Sequence, residues 1–235
     1  MNGALMVALW RQRLTSPIRL VLLAALSGIP LIALAFMRGA GLSVLGDSQG
    51  LVLVLGAGMI GQDVSSGVLQ LLFARPVRRP DYVVSRWLAV AIAASAVALL
   101  QLAVAVALMA ARDSLPAAQE VLLYGTGRVL ESFGLAAVLA LLSSLIPGFG
   151  DLALYLLFTM TAGVVQMAGQ AKGWAWVDRL GGEFLATLVP TVDLARVIHA
   201  VPLPWFPIVS YASTVTLCLV LAIVAVPASP SHRMK

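Results

Sequence analysis

The chain repeatedly runs too far without charge to be anything but a set of membrane crossings. From about Val83 to Ala110 only Arg86 is charged. A crossing takes about 20 apolar residues, and backbone in lipid must satisfy its own polar groups, which a helix does. Composition agrees: 61% of residues are hydrophobic and 11% charged, with a mean hydropathy of +1.00, against roughly 45–50% and about 25% in soluble domains. The net charge of +5 sits at the ends of apolar runs, which is a topology signal and not a nucleic-acid footprint. A single cysteine, Cys218, allows no intrachain disulfide and no thiolate cluster.

Six spans follow. Residues 1–16 read as a short amphipathic helix in the membrane interface, with Leu5, Met6, Leu9 and Trp10 near one face and Arg11 and Arg13 elsewhere. Arg11, Arg13 and Arg19 ahead of Leu20–Leu34, with Ala33-Leu34-Ala35 at its end, have the outline of a signal peptide. The stretch is read here as a first span, Pro17–Met37, opened by a Ser16-Pro17 start signal. Span two starts near Leu42, diluted by Asp47, Ser48 and Gln49, and runs to Ile60. Span three is Val83–Ala110, span four Val121–Ile146, span five Asp151–Gln170 after a Pro147-Gly148-Phe149-Gly150 turn, and span six Ile208–Val226. Residues 172–206, interrupted by Pro190, Pro202 and Pro204, are expected to form short helices on the outer face, with Trp174, Trp176 and Trp205 in the interfacial belt.

The basic residues orient the bundle. With both termini cytoplasmic, the inner side holds Arg11, Arg13, Arg19, Arg75, Arg78, Arg79, Arg86, Arg233 and Lys235. The outer side holds Arg38, Arg112, Arg128, Lys172, Arg179 and Arg196. The inward bias places the polar insert 62–80, between spans two and three, in the cytoplasm. Asp63 is suited to cap a helix starting at Val64. Val68, Leu69, Leu72 and Phe73 give that helix an apolar face at helical spacing. Pro76 ends it, and Pro80 restarts helix into span three. An apolar face on a cytoplasmic loop calls for burial on the membrane or in a partner's groove. The plainer reading is a loop whose arginines meet lipid headgroups.

The insert resembles one family. An acid at the end of span two, a glycine, a leucine pair, Pro-Val-x-Arg and an aromatic leading into span three form the pattern of type-two ABC transporter permeases. Here they stand as Asp63, Gly67, Leu71-Leu72, Pro76-Val77-x-Arg79 and Tyr82. Val68 replaces the commoner threonine and Arg75 the commoner serine. The resemblance implies a single all-α permease domain over 1–235, a polytopic membrane protein of six transmembrane helices. Residues 1–16 would be its elbow helix, and 62–80 would hold a cytoplasmic coupling helix. It implies an exporter subunit working as a homodimer with two copies of a separate ABC ATPase in the cell inner membrane. ATP would be bound by the partner and no cofactor by this chain. Asp63, Gly67, Leu69, Leu72, Phe73, Arg75, Pro76 and Arg79 would contact the ATPase, and spans one, two and five would line the path.

Other signals carry less. Leu51–Leu55 followed by Gly56-Ala57-Gly58-Met59-Ile60-Gly61 matches the dinucleotide fingerprint, but no strand-helix alternation surrounds it, and glycines in a membrane helix admit a close neighbour. No G-x-x-x-x-G-K-[ST] loop is present. Arg128 and Glu131 are spaced to pair, Gln101 and Gln166 to bond between helices, Met160 and Met167 to pack in the core, and Asp151 to cap span five. The competing classes are a subunit of another membrane assembly and a secondary transporter. The latter would show an internal repeat and mid-membrane charges. A membrane enzyme would need clustered catalytic groups, whereas Asp178, Glu183, Asp193 and His199 are scattered.

Overall fold

The computed structural model describes residues 7, 9–11, 13, 15–37, 41–67, 78–146, 148–192, 194–199 and 205–226. Among these there are helices and turns and no strand. The helices are α1 (Pro17–Phe36), α2 (Gln49–Gly56), α3 (Gly61–Ser65), α4 (Arg79–Ala110), α5 (Ala118–Leu145), α6 (Gly150–Lys172), α7 (Ala175–Leu188), α8 (Leu194–His199) and α9 (Trp205–Ala225), with a 3-10 turn at Leu42–Leu45. Six stretches are long and apolar enough to cross a membrane: α1, Leu42–Ser65, α4, α5, α6 and α9. The chain is a multi-pass helical membrane protein, and these stretches fall within a few residues of the spans read from sequence.

Local chemistry sets the ends. Pro17 occupies the first turn of α1, where its missing N–H costs nothing. Ser16 is extended but its hydroxyl makes no capping bond, so the start rests on the proline. Helix α4 likewise carries Pro80 in its first turn. Helix α6 stops where Gly173 turns left-handed (φ 67°), with Gly173 N–H bonded to Gln170 O and Trp174 N–H to Gly169 O at 2.8 Å. That is the double bond of a Schellman stop.

Helix α5 is the axis of the bundle: 72% of its spanning window is buried, against 11% for α1 and 17% for α6 and α9. It packs on α4, and both helices bury alanines, Ala91, Ala94 and Ala98 on α4 and Ala136, Ala137 and Ala140 on α5; small side chains let membrane helices approach. Helix α7 folds back on α6. A Cβ on Gly169 would lie 2.4 Å from Asp178 N, and one on Gly181 would lie 2.8 Å from Gln166 N, so the two backbones touch. The residues after 172 therefore do form helices, α7 and α8. Met160 and Met167 are each 70% exposed; the core-packing expectation is wrong for both, because they lie on the outward face of α6.

Helix α4 has 32 residues. At 1.5 Å per residue it is about 48 Å long, against a hydrocarbon thickness of about 30 Å. It projects beyond the apolar layer, and its first turns carry Tyr82 and Arg86 at the end of the bundle that bears the insert.

A charged joint at the base of the insert

Span two was expected to be one helix. It is broken at 57–60, between α2 and α3. The glycines carry the break: Gly58 has φ +68°, where a side chain would be strained. A Cβ on Gly61 would lie 2.6 Å from Ile146 O and 2.7 Å from Gly148 O. The dinucleotide-like glycine run is thus a bend pressed against the α5–α6 turn.

A broken helix in an apolar layer frees backbone groups that must find partners. Gly58 N–H donates to Asp151 Oδ2 at 2.7 Å. Ile60 and Gly61 N–H both donate to Ser143 Oγ, at 3.0 and 2.9 Å. Gly148 N–H donates to Gly61 O at 2.8 Å, and Arg13 Nη1 donates to Ala57 O. Asp151 was expected to cap span five and does not: it lies inside the first turn of α6, whose N-cap, Phe149, carries no side-chain capping bond. Its Oδ1 accepts from the adjacent Leu152 N–H at 2.8 Å, and its Oδ2 serves the break, because the freed Gly58 N–H needs an acceptor. Arg13 was expected away from the apolar face. It lies on the same buried face as Leu9, at 3% exposure, because the Ala57 carbonyl needs a donor.

Asp63 does not cap a helix. It lies within α3 and accepts a hydrogen bond from Tyr82 Oη at 2.5 Å and one from Arg86 Nη2. The guanidinium of Arg86 also faces the Tyr82 ring, 5.4 Å from its centre. The cap expectation fails because Asp63 already lies inside α3 and its carboxylate is taken by Tyr82 and the buried Arg86 across the insert. The insert's two flanks, α3 and α4, are therefore tied to each other.

Arg13, Asp63, Arg86 and Asp151 are each 6% exposed or less, and their charges cancel. Burial pushes the Arg13 guanidinium down to about 9, helped by Arg19 and Arg86 and opposed by Asp63 and Asp151; it is still cationic at neutral pH. The Nε atoms of Arg13 and Arg86 have no hydrogen-bond partner. The joint is close to neutral, buried and incompletely satisfied, which is the condition under which a rearrangement changes energy steeply.

A second polar node lies at the opposite end of the bundle. Arg128 and Glu131 were expected to pair directly. They meet through Ser48: Arg128 Nε donates to Ser48 Oγ at 2.9 Å, and Ser48 N–H donates to Glu131 Oε2 at 2.9 Å. Arg128 Nη2 also donates to Gln101 Oε1 at 3.2 Å, and Gln101 Nε2 to Ser27 O at 3.2 Å, so Gln101 does bond between helices. This node fixes the start of span two, as the joint fixes its end.

Of the residues read as ATPase contacts, Asp63 is in the joint and Arg79 is half-buried in the first turn of α4. Gly67, at φ +72° with open space around it, follows α3. Leu69, Leu72, Phe73, Arg75 and Pro76 lie outside the described residues. Sequence reasoning gave no role in the joint to Arg13, Ser143 or Asp151. The available signal was the glycine run itself, since a bend there needs donors and acceptors from elsewhere.

No family model, no curated protein and no solved structure matches this chain.

Proposed function

We propose that the chain is the transmembrane permease subunit of an ATP-driven exporter of the type-two ABC class. In this reading it works as a homodimer with two copies of a separate ATPase, with the insert and both termini in the cytoplasm. The observation that carries it is the Asp63–Tyr82–Arg86 tie. A push on residues 68–77 by a partner reaches α3 and α4 together, because their junctions are bonded. From Asp63 the joint passes the movement to the bend in span two, and through Asp151 and Ser143 to α5 and α6. The insert is thereby a lever and not a tether.

Two further features support the arrangement. Helices α1 and α6 are mostly uncovered, which leaves surface for a second copy. A cavity of about 620 Å³ lies between α1, α2 and the start of α6, with Ser16, Arg19 and Gln62 among apolar walls. These are the spans that the resemblance places along the path.

One observation favours the secondary transporter: broken helices often form its ion sites. Here, however, the groups freed at the break are occupied by Arg13, Asp151 and Ser143, which leaves an ion few ligands. The deciding experiment is Phe73→Asp in the complex, in nanodiscs. A charge placed in a buried contact without a partner typically costs several kcal/mol. Co-purification with the ATPase and ATP hydrolysis should both fall, whereas Arg78→Ala, a rim charge, should change little. Unchanged association and hydrolysis in a normally inserted Phe73→Asp protein would reduce the insert to a topological loop.

A further inference from the structure

Between the N-terminal segment and the spans runs a groove of about 250 Å³, walled by Leu9, Trp10, Leu23, Leu55, Val90 and Val97. Almost no polar surface reaches its wall. Trp10 Nε1 donates to Ala89 O at 2.7 Å, and the Arg13 guanidinium is turned to Ala57 O, so the groove shows carbon to whatever enters it. Its rim includes Ile92 and Ala96, which are exposed; the groove therefore opens on the outside of the bundle, where acyl chains lie. Apolar space of this kind takes up apolar molecules, as a cavity of about 150 Å³ takes up benzene, because an empty wall forfeits its dispersion contacts.

Charge selects the headgroup. On the inner side, residues 1–19 contain Arg11, Arg13 and Arg19 and no acid. Arg11 is exposed, next in sequence to the wall residue Trp10. We propose that the groove holds one acyl chain of an anionic phospholipid, whose phosphate pairs with Arg11 on the N-terminal segment. The lipid would then be a wedge between that segment and α4, adjacent to the Arg13 contact that holds the bend in span two. This inference stands on the membrane fold and does not depend on the exporter reading.

The test uses the full chain, exposed to vesicles of phosphatidylglycerol and phosphatidylcholine in equal amounts with identical chains, then measured by native mass spectrometry. One phospholipid should be retained per chain, with phosphatidylglycerol favoured roughly fivefold. Ala96→Phe and the milder Ala93→Leu fill the groove and should each lower retention about tenfold. Arg11→Gln should keep a lipid and lose the preference. A phosphatidylglycerol carrying a photoreactive tail should crosslink the wild-type protein at residues 9–13 and 89–97, which needs no variant to fold. The proposal is overturned if no phospholipid is retained, if the two headgroups are retained equally by the wild type, if both filled variants retain as much as the wild type, or if the crosslinks fall elsewhere.

Discussion

Asp63 in α3 and Arg86 in α4 form an ion pair in the interior, with 7% of each side chain exposed, across the insert that separates them. Neither side chain is in a position to take its charge to water. Removing one partner leaves the other buried and uncompensated, which costs about 3–5 kcal/mol. Asp63→Asn and Arg86→Gln should each lower the unfolding temperature strongly in neutral detergent. The double variant should be less destabilised than the sum, with a coupling of roughly 0.5–3 kcal/mol. Strict additivity would show that the pair contributes nothing to the joint.

Glycines in this fold divide by what surrounds them, and alanine substitution separates the two kinds. Gly127 and Gly163 lie within α5 and α6 with nothing within 4 Å of a built Cβ. Gly127→Ala and Gly163→Ala should be neutral or stabilising by up to about 1 kcal/mol. Gly61 and Gly169 face backbone at 2.6 and 2.4 Å. Gly61→Ala and Gly169→Ala force their neighbours apart and should cost about 1–3 kcal/mol, as overpacking does. Thermal unfolding of the four variants decides it, and equal effects would contradict the close approaches.

Orientation is checked by labelling in intact cells. Arg179 is 81% exposed at its side chain, while Gly181 is buried against α6 and would not accept a cysteine quietly. Impermeant reagent should modify Arg179→Cys and spare Ser66→Cys, which is exposed at the insert end. Native Cys218 is buried and should stay silent. The opposite pattern would place the insert outside the cell.

The spans were legible because a run such as Val83–Ala110 admits one physical outcome in lipid, and proline and glycine mark where each helix starts or stops. Asp63 was legible as a residue of consequence, but its partner was not. Capping is a local act that a sequence window displays, whereas a bond to Arg86 depends on how α3 and α4 are brought together. Arg13 was misplaced for a similar reason. Amphipathic reasoning sends an arginine to water, and only the break in span two, a tertiary feature written as three glycines, supplies a carbonyl that brings it inside. The same holds for Arg128 and Glu131, whose spacing fits a direct pair and whose bridge, Ser48, comes from about 80 residues away.

Arg13 is the test of whether the bend is held from outside span two. Arg13→Met keeps the length of the side chain and removes both the charge and the donor to Ala57 O. Asp63 and Asp151 then outnumber Arg86, and a carbonyl is left unpaired, so the loss should be about 3–5 kcal/mol. Arg11→Met, two residues away and exposed, should stay within about 0.5 kcal/mol in neutral detergent. The effect should also be local before it is global. The Gly58, Ile60 and Gly61 amides, bonded to Asp151 and Ser143, should exchange hydrogen faster in Arg13→Met at temperatures where α5 is still protected, since a region with fewer constraints opens first. If Arg13→Met behaves like Arg11→Met in both measurements, the bend is held by Asp151 and Ser143 alone and the N-terminal segment has no part in the joint.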